Sequence, residues 1–306
     1  MRLDLALIAR HPELSRRRAR DVIEKGQVLV AGRLVSEAGY AVGADADIQW
    51  DPNRKAVRRA RLSLPILHAD ETILVLDKPA GLLAVPTAPG LEDEDTAFAR
   101  VKEYARHLNP RRPYAGIVHR LDRDTSGALA FALAPEARAA LRVLFREHRM
   151  DRRYVALVRG APTEDEGTID LPIADAYEGG RRHVASPGET ARPAITHFRV
   201  RERFASGALL DVRLETGRQH QIRLHLAHKG WPIVGDPVYG TPGRGLPPAP
   251  RQMLHAALLA FAHPLTGAAV RAESPLPDDF RRALGAMRSG TTPRPRKTGR
   301  RPPRRR

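Results

Sequence analysis

The stretch His119–Gly127, with the sequence HRLDRDTSG, places two carboxylates among basic side chains. Asp122 lies between Arg120 and Arg123, and Asp124 follows it closely. Exposed Asp–Arg pairs are common on protein surfaces and contribute only about 0–1 kcal/mol each. The alternative is chemical: one carboxylate acts on a substrate while the arginines hold an anion. The stretch by itself is compatible with both interpretations.

Two further polar clusters interrupt apolar sequence. Tyr154 stands at the start of a predicted strand, in RRYVALV. The segment ETGRQHQIRLHLAHKGWPIVGDPVYG, residues 215–240, ends in a Gly-Asp-Pro turn and brings together four polar side chains: Arg218, His220, Gln221 and Arg223. Arginines beside histidines oppose the binding of a cation, and the spacing of the histidines matches no established metal motif. The sequence therefore predicts no metal site.

The sequence lacks the motifs of several other common classes of enzyme. HRLD is not a kinase catalytic loop, because Leu121 separates the Arg from the Asp and no Gly-rich loop or DFG is present. Neither a P-loop nor a G-x-G-x-x-G sequence occurs, so no nucleotide cofactor is predicted. Ser126 lacks the G-x-S-x-G turn of a serine hydrolase. A carboxylate in basic surroundings remains as the candidate for chemistry.

The composition favours a polyanionic partner. The 306 residues contain 52 Lys and Arg against 35 Asp and Glu, a formal charge of +17. Eight of these cations and no acid lie in residues 289–306, so the rest of the chain still carries +9. A basic body is typical of nucleic-acid-binding proteins, although an arginine-rich proteome would give a similar balance.

Cysteine usage and hydropathy suggest the compartment. The absence of cysteine excludes disulfides and thiol chemistry and fits a reducing environment. No apolar run reaches the roughly 18 residues of a membrane span, and the N-terminal segment does not have the pattern of a secretory signal. We expect a cytoplasmic protein without membrane contact.

Residues 1–50 predict a small separate module. RLDLALIAR has the pattern of a short helix, and Ser15 can cap a second helix, RRRARDVIEKG, that Gly26 ends. QVLVAGRLV follows as two short strands around an Ala-Gly turn. This order resembles the S4 RNA-binding module, which implies that the second helix binds RNA, although an ordinary solvated helix face is the alternative. The candidate contacts are Arg16, Arg17, Arg20 and Lys25.

The remaining chain predicts an α+β domain. Residues 51–65 are expected to be a linker, 66–284 the larger domain and 285–306 a basic disordered tail. TILVLDKP, YVALVRG and LLDVRLE are predicted strands, and PEARAALRVLFREH is a predicted amphipathic helix that starts at Pro135. Strands and helices do not alternate regularly, which argues against a doubly wound fold.

Five segments in order resemble the RluA-type pseudouridine synthases. They are LDKPAGLLAVP, GIVHRLDRDTSGALAFA, RRYVALVRG, LETGRQHQIRLHLAHKGWPIVGDPVYG and RQMLHAALLAFAHPLTG. The resemblance implies a mainly antiparallel mixed sheet flanked by helices, preceded by an S4-like module. It also implies isomerisation of uridine to pseudouridine in structured RNA, a reaction that uses no cofactor.

The resemblance assigns three catalytic roles. Asp122 is the expected nucleophile, and Asp124 is the weaker candidate. Arg223 matches the arginine that pairs with this Asp; a nearby cation favours the charged form of a carboxylate, although a plain phosphate contact is the alternative for Arg223. Tyr154 corresponds to the active-site tyrosine, which can stack on the everted uracil and assist proton movement at C5. Without the resemblance, Tyr154 would be interpreted as a half-buried strand residue.

Further RNA contacts are predicted around this centre, to phosphate, ribose or the active-site loop: Arg120, Arg218, His220 and Gln221. The S4-like module favours large-subunit ribosomal RNA over tRNA as the substrate. A non-catalytic RNA-binding protein of the same fold is the alternative. We expect a monomer, and the residues leave open whether Asp122 attacks uracil C6 or ribose C1′.

Overall fold

The computed structural model describes residues 1–25, 27–31, 33–35, 38–43, 45–52, 64–88, 94–179, 181–240, 246 and 249–290. The chain divides into two compact units, one of residues 1–63 with 100–115 and the other of residues 64–99 with 116–306. Most of the predicted linker and residues 291–306 of the predicted tail lie outside the described residues. Gly26, the expected end of the second helix, lies outside them as well.

The first unit begins with two helices and a small antiparallel sheet. Ser15 caps the second helix as predicted, because its hydroxyl accepts a hydrogen bond from the Arg18 amide at 3.2 Å. Apolar side chains from both helices and β1 form the core, among them Leu7, Ile23 and Val28. The elements are α1 (Leu3–Arg10), α2 (Arg16–Glu24), β1 (Val28–Val30), β2 (Arg33–Leu34) and β3 (Ile48–Trp50), with the strand order β2-β1-β3.

The second unit is built on one large sheet. Its strands are β4 (Ile66–Ala69), β5 (Ile73–Lys78), β6 (Gly116–Ile117), β7 (Ser126–Ala132), β8 (Asp151–Arg159), β9 (Glu166–Asp170), β12 (Ile195–Phe204), β13 (Gly207–Leu214), β14 (Leu254–Ala262) and β15 (Ala269–Glu273). A separate two-stranded sheet joins β10 (Ile173–Ala174) to β11 (Ala191–Arg192). The helices are α4 (Pro135–Arg146), α5 (Gln221–His228) and α6 (Asp278–Ser289), while α3 (Ala97–Leu108) belongs to the first unit from Arg100 onward.

The main sheet is mixed but almost entirely antiparallel. The strand order is β4-β5-β7-β14-β8-β13-β12-β9, with β15 paired to β14 and β6 to β7. Only the β7–β14 pair is parallel among the described strands. This arrangement confirms the predicted α+β class, and the predicted strands correspond to β5, β8 and β13.

The middle of the sheet carries the segments that resemble the synthase family. All seven residues of β7, SGALAFA, are buried, as is the apolar run of β5. At Gly127, φ is +114° and an added Cβ would lie 2.2 Å from the Ala256 carbonyl oxygen of β14. The Gly that ends HRLDRDTSG is therefore required by the close approach of two strands, which fixes where the preceding loop leaves the sheet.

The C-terminal helix extends beyond the predicted end of the domain at residue 284. α6 continues to Ser289, and it buries Phe280 and Met287 against the second unit. These apolar side chains at helical spacing explain why the helix continues. Among the described residues, no helix has the length and apolar character of a bilayer-spanning segment.

Candidate active site

Asp122 lies in the loop between β6 and β7. Its carbonyl oxygen accepts a hydrogen bond from the Thr125 amide at 3.1 Å, which closes a turn directly before β7. The side chain is 24% exposed, and its Oδ2 atom accepts a hydrogen bond from Arg223 Nη1 at 3.0 Å. The Oδ1 atom has no hydrogen-bond donor among the described residues. One carboxylate oxygen is thus held by the protein, while the other is available to a substrate.

Arg223 is the third residue of α5, and its guanidinium joins two carboxylates. Nη1 donates to Asp122, whereas Nε and Nη2 donate to Asp236 at 2.7 and 2.8 Å. Burial lowers the pKa of Arg223, but the hydrogen bonds and charges of Asp236 and Asp122 outweigh it, so the pKa is raised. The predicted pairing of Arg223 with Asp122 is present in the structure.

Asp236 is the partner that sequence reasoning missed. It belongs to the Gly-Asp-Pro turn and its side chain is fully buried. Burial raises the pKa of Asp236, but the Arg223 hydrogen bond and charge outweigh it, so the pKa lies below its usual range. The amides of Val238 and Tyr239 also donate to Oδ1, at 2.8 and 3.1 Å. The signal available in the sequence was the Gly-Asp-Pro turn, whose Asp is the only acid in residues 216–240.

His220 and Tyr239 surround the guanidinium. The Arg223 Cζ atom lies 5.3 Å from the Tyr239 ring centroid, a cation–π distance. His220 Nδ1 and the Tyr239 hydroxyl share a hydrogen bond of 3.1 Å. Burial lowers the pKa of His220, although the charge of Asp122 opposes this effect. The backbone of His220 is left-handed, with φ of +58°, which a non-glycine residue adopts at an energetic cost that is typical of functional sites.

Tyr154 lies on β8 and is buried. Burial raises the pKa of its hydroxyl; the charge of Arg152 opposes this effect and the charge of Asp122 adds to it, so both charges act on the phenol. The hydroxyl has no hydrogen-bond partner among the described residues. It is thus available for a partner that the chain itself does not provide.

Two buried cations hold the backbone immediately after Asp122. Lys78 Nζ donates to the carbonyl oxygens of Pro79, Leu82 and Arg123 at 3.0, 2.8 and 2.9 Å. Arg251 Nη1 donates to the next carbonyl, that of Asp124, at 3.0 Å. Consecutive carbonyls of the loop are therefore each bound by a cation from a distant segment. Sequence reasoning identified neither cation; the local signal for Lys78 was a lysine two residues after the apolar run of β5.

The four residues predicted to contact RNA near this centre have different environments. Arg120 is exposed, His220 faces the Arg223 cluster, and Arg218 is half-buried with its Nε donating to the Pro193 carbonyl at 3.0 Å. Gln221 is only 2% exposed.

The Gln221 amide is fully engaged by the protein. Its Oε1 accepts from the Thr216 hydroxyl and the Arg218 amide, each at 2.9 Å. Its Nε2 donates to the Ile195 carbonyl and the Thr196 hydroxyl, each at 3.0 Å. With no capacity left for RNA, Gln221 instead fixes the turn that leads into α5; its predicted RNA contact is not supported by this environment.

The basic residues of α2 and of its C-cap, Lys25, are exposed, but three of them also have carboxylate partners within the unit. Arg20 Nε donates to the buried Asp4 at 3.1 Å, whereas Arg18 Nη1 and Lys25 Nζ donate to Asp21 at 3.1 and 2.7 Å. Arg16 and Arg17 have no ion-pair partner among the described residues. The helix therefore presents these two cations to solvent without a salt bridge to a carboxylate.

The shared guanidinium predicts unequal stability effects for its two acids. Removing one partner of a buried pair costs about 3–5 kcal/mol, so Asp236→Ala should lower the free energy of unfolding by that amount. Asp122→Ala removes a partly exposed carboxylate and leaves the Asp236 pair intact, so its loss should be smaller, within about 1 kcal/mol. Urea denaturation measures both, and equal losses would contradict this assignment.

Lys78 predicts a pH dependence of stability. Burial, together with the charge of Arg251, lowers its pKa to about 7 against the opposing charges of Asp124 and Asp122. The unfolded chain keeps this proton up to about pH 10.4, so it binds more protons than the folded chain between the two values. Loss of this proton therefore favours the folded chain. The free energy of unfolding rises with pH between about 7 and about 10, and the gain is lost again as the pH falls toward about 7.

The variant Lys78→Met removes this titration. Between about pH 7 and about pH 9.5, the free energy of unfolding of the unmodified protein should rise relative to that of the variant by up to about 1.4 kcal/mol per pH unit. Urea denaturation of both proteins at the two pH values gives the difference. A difference that does not change with pH would contradict the lowered pKa.

Both parts of the chain match known protein families. A family model described as RNA pseudouridylate synthase matches residues 72–228, and an S4 domain model matches residues 1–48. The chain is similar to proteins named ribosomal large subunit pseudouridine synthase D. It is 38% identical to that of Pseudomonas aeruginosa over 301 residues, which cover 94% of this chain and 92% of the relative. It is 36% identical to that of Escherichia coli O157:H7 over 307 residues, which cover 94% and 91%.

Solved structures show the same fold. Human RNA pseudouridylate synthase domain containing 4 has a TM-score of 0.60 at 24% identity, covering 73% of this chain and 93% of that one. Human RNA pseudouridylate synthase domain containing 1 has a TM-score of 0.55 at 25% identity, covering 76% and 97%. The match of the family model, the near-complete coverage of the relatives and the common fold lead to one conclusion: the chain belongs to the RNA pseudouridylate synthase family and carries an S4 domain at its N-terminal end.

Proposed function

We propose that this RNA pseudouridine synthase isomerises uridine in large-subunit ribosomal RNA, with Asp122 as the nucleophile. The observation that carries the proposal is the state of the Asp122 carboxylate. Arg223 holds Oδ2, the neighbouring backbone is held by two buried cations, and Oδ1 has no donor among the described residues. A nucleophile that is fixed in position and has one unoccupied oxygen is the arrangement that covalent catalysis requires.

The reaction is an isomerisation and needs no co-reactant. The bond between uracil N1 and ribose C1′ breaks, and a bond between uracil C5 and C1′ forms. C5 loses a proton and N1 gains one, so atoms and electrons balance. Asp122 attacks the nucleoside and is released again when the new bond has formed. The chain then needs only to hold the detached base and to move a proton.

Tyr154 is suited to both tasks, holding the base and moving the proton. Its ring lies on a rigid central strand, and its hydroxyl has no partner among the described residues although Asp122 and Arg152 both act on it electrostatically. A buried aromatic ring can stack on an everted base, and a phenol can relay a proton. We assign Tyr154 to stacking on the uracil and to the transfer of the C5 proton.

Ribosomal RNA is proposed as the substrate from two independent indications. The relatives that cover the chain almost completely are named for the large ribosomal subunit. The S4 domain presents Arg16 and Arg17 to solvent, as expected for a helix that contacts the RNA backbone. We further propose that the chain acts as a monomer in the cytoplasm; both remain predictions from the sequence.

Replacing the nucleophile tests the reaction. Asp122→Asn keeps the shape of the side chain but removes its charge, and should reduce pseudouridine formation about a thousandfold or more. Asp124→Asn is the matched control and should remain active, because the structure uses the Asp124 carbonyl rather than its carboxylate to hold the loop. Large-subunit ribosomal RNA without the modification is incubated with each protein in EDTA, and pseudouridine is mapped by carbodiimide-dependent primer-extension stops.

Two results would refute this function. Asp122→Asn that is as active as the unmodified protein would exclude the assigned nucleophile. Cleaved RNA strands in place of carbodiimide-dependent stops would indicate a hydrolase.

Neutralising α2 tests the role of the S4 domain. Arg16→Gln with Arg17→Gln should weaken RNA binding and lower the slope of log Kd against log salt by about 0.7–0.9 for each phosphate that the protein no longer binds. Filter binding over a series of salt concentrations measures both quantities. Arg271→Gln, which removes an exposed cation of β15 that pairs with Glu273, is the control. A slope equal to that of the control would show that α2 does not contact the RNA backbone.

A further inference from the structure

The second unit contains two arginines that are equally buried but differently compensated. Arg251 and Arg152 are each 7% exposed. Arg251 donates to both oxygens of Asp279, at 2.7 and 3.0 Å, and to several carbonyls. Arg152 has no carboxylate partner among the described residues, and it donates only through Nη2, to the carbonyl oxygens of Leu214 at 3.4 Å and Glu215 at 2.7 Å.

Two of the three guanidinium nitrogens of Arg152 have no hydrogen-bond acceptor among the described residues. Its Nε atom is buried without a hydrogen-bond partner, and its Nη1 atom has none among the described residues. The Phe145 ring lies 5.6 Å from Cζ, but a cation–π contact of this kind contributes only about 0.5–2 kcal/mol. Burial accordingly lowers the pKa of Arg152. A buried cation without a counter-ion is unfavourable for folding, so the folded chain alone does not explain why it is present.

The position of Arg152 relates it to the active site. It lies two residues before Tyr154 on β8, so both side chains point to the same face of the sheet, about 7 Å apart along the strand. Its Nη1 atom would lie 2.6 Å from a Cβ added at Gly217, in the turn that leads to α5 and Arg223. Because residue 217 is a glycine, it places no side chain over this edge of the guanidinium.

We propose that Arg152 binds a backbone phosphate of the RNA next to the everted uridine. The proposal rests on the proposed function in taking RNA as the ligand and Tyr154 as the residue that stacks on the everted base. A nucleotide that brings its base to Tyr154 brings a phosphate within reach along the same strand. The phosphate supplies the anion that the folded chain lacks, and a planar guanidinium with free N–H groups matches its oxygens.

Stability and RNA binding should change in opposite directions when this charge is removed. Arg152→Met keeps the volume of the side chain and removes an uncompensated charge, so its melting temperature should equal or exceed that of the unmodified protein. Its affinity for large-subunit ribosomal RNA should fall about tenfold, and its slope of log Kd against log salt should decrease by about 0.7–0.9. Arg251→Met is the matched control, and its melting temperature should fall by several degrees because Asp279 is left unpaired.

A second variant separates charge from shape. Arg152→Lys keeps the charge but loses the planar fork, so it should retain the salt slope of the unmodified protein with an intermediate affinity. Binding is measured by filter retention with every variant in the Asp122→Asn background, so no turnover is required. If the unmodified protein forms no pseudouridine, the proposed function is refuted, but the result of this binding test still holds.

An unchanged salt slope in Arg152→Met overturns the phosphate site, whatever its melting temperature. A melting temperature that falls as far as that of Arg251→Met, with unchanged RNA binding by the folded protein, would identify Arg152 as a structural residue of the turn before α5.

Discussion

One guanidinium shared by two carboxylates is the interaction on which the site depends. Arg223 binds the buried Asp236 through two parallel hydrogen bonds and uses its remaining edge for Asp122. The Asp236 pair orients the guanidinium, and the guanidinium in turn orients Asp122, the proposed nucleophile. Because Asp236 neutralises the buried cation, Asp122 can remain partly exposed without leaving a charge uncompensated in the interior.

The backbone around Asp122 is positioned by the same kind of interaction. Lys78 and Arg251 bind the consecutive carbonyls that follow Asp122, and the close approach at Gly127 fixes the start of β7. Hydrogen bonds from charged donors to carbonyls are stronger than those between neutral groups and are less easily replaced by water in a buried setting. The loop is thereby held in place before substrate binds, which lowers the entropic cost of reaching a reactive geometry.

The buried arginines of this strongly basic chain differ in whether a carboxylate compensates their charge. Where a carboxylate is present, as for Arg223 and Arg251, the charge supports the structure. Where none is present, as for Arg152, burial of the charge is unfavourable for folding, and the proposed phosphate contact would supply the missing anion. An enzyme whose substrate is a polyanion can use such a residue, because RNA binding restores the balance of charge.

From the sequence alone, local periodicity and capping predicted the α+β class and the small N-terminal module, and five motifs in order carried the resemblance to the synthase family. The candidate nucleophile Asp122 and its pairing with Arg223 were predicted through that resemblance. Only the tertiary structure showed that Asp236 completes this pair and that Gln221 is buried. The physical reason is distance along the chain: Asp122 and Arg223 are 101 residues apart. Which charges meet, and which remain without a partner, is decided by sheet register and loop closure, which no local pattern encodes.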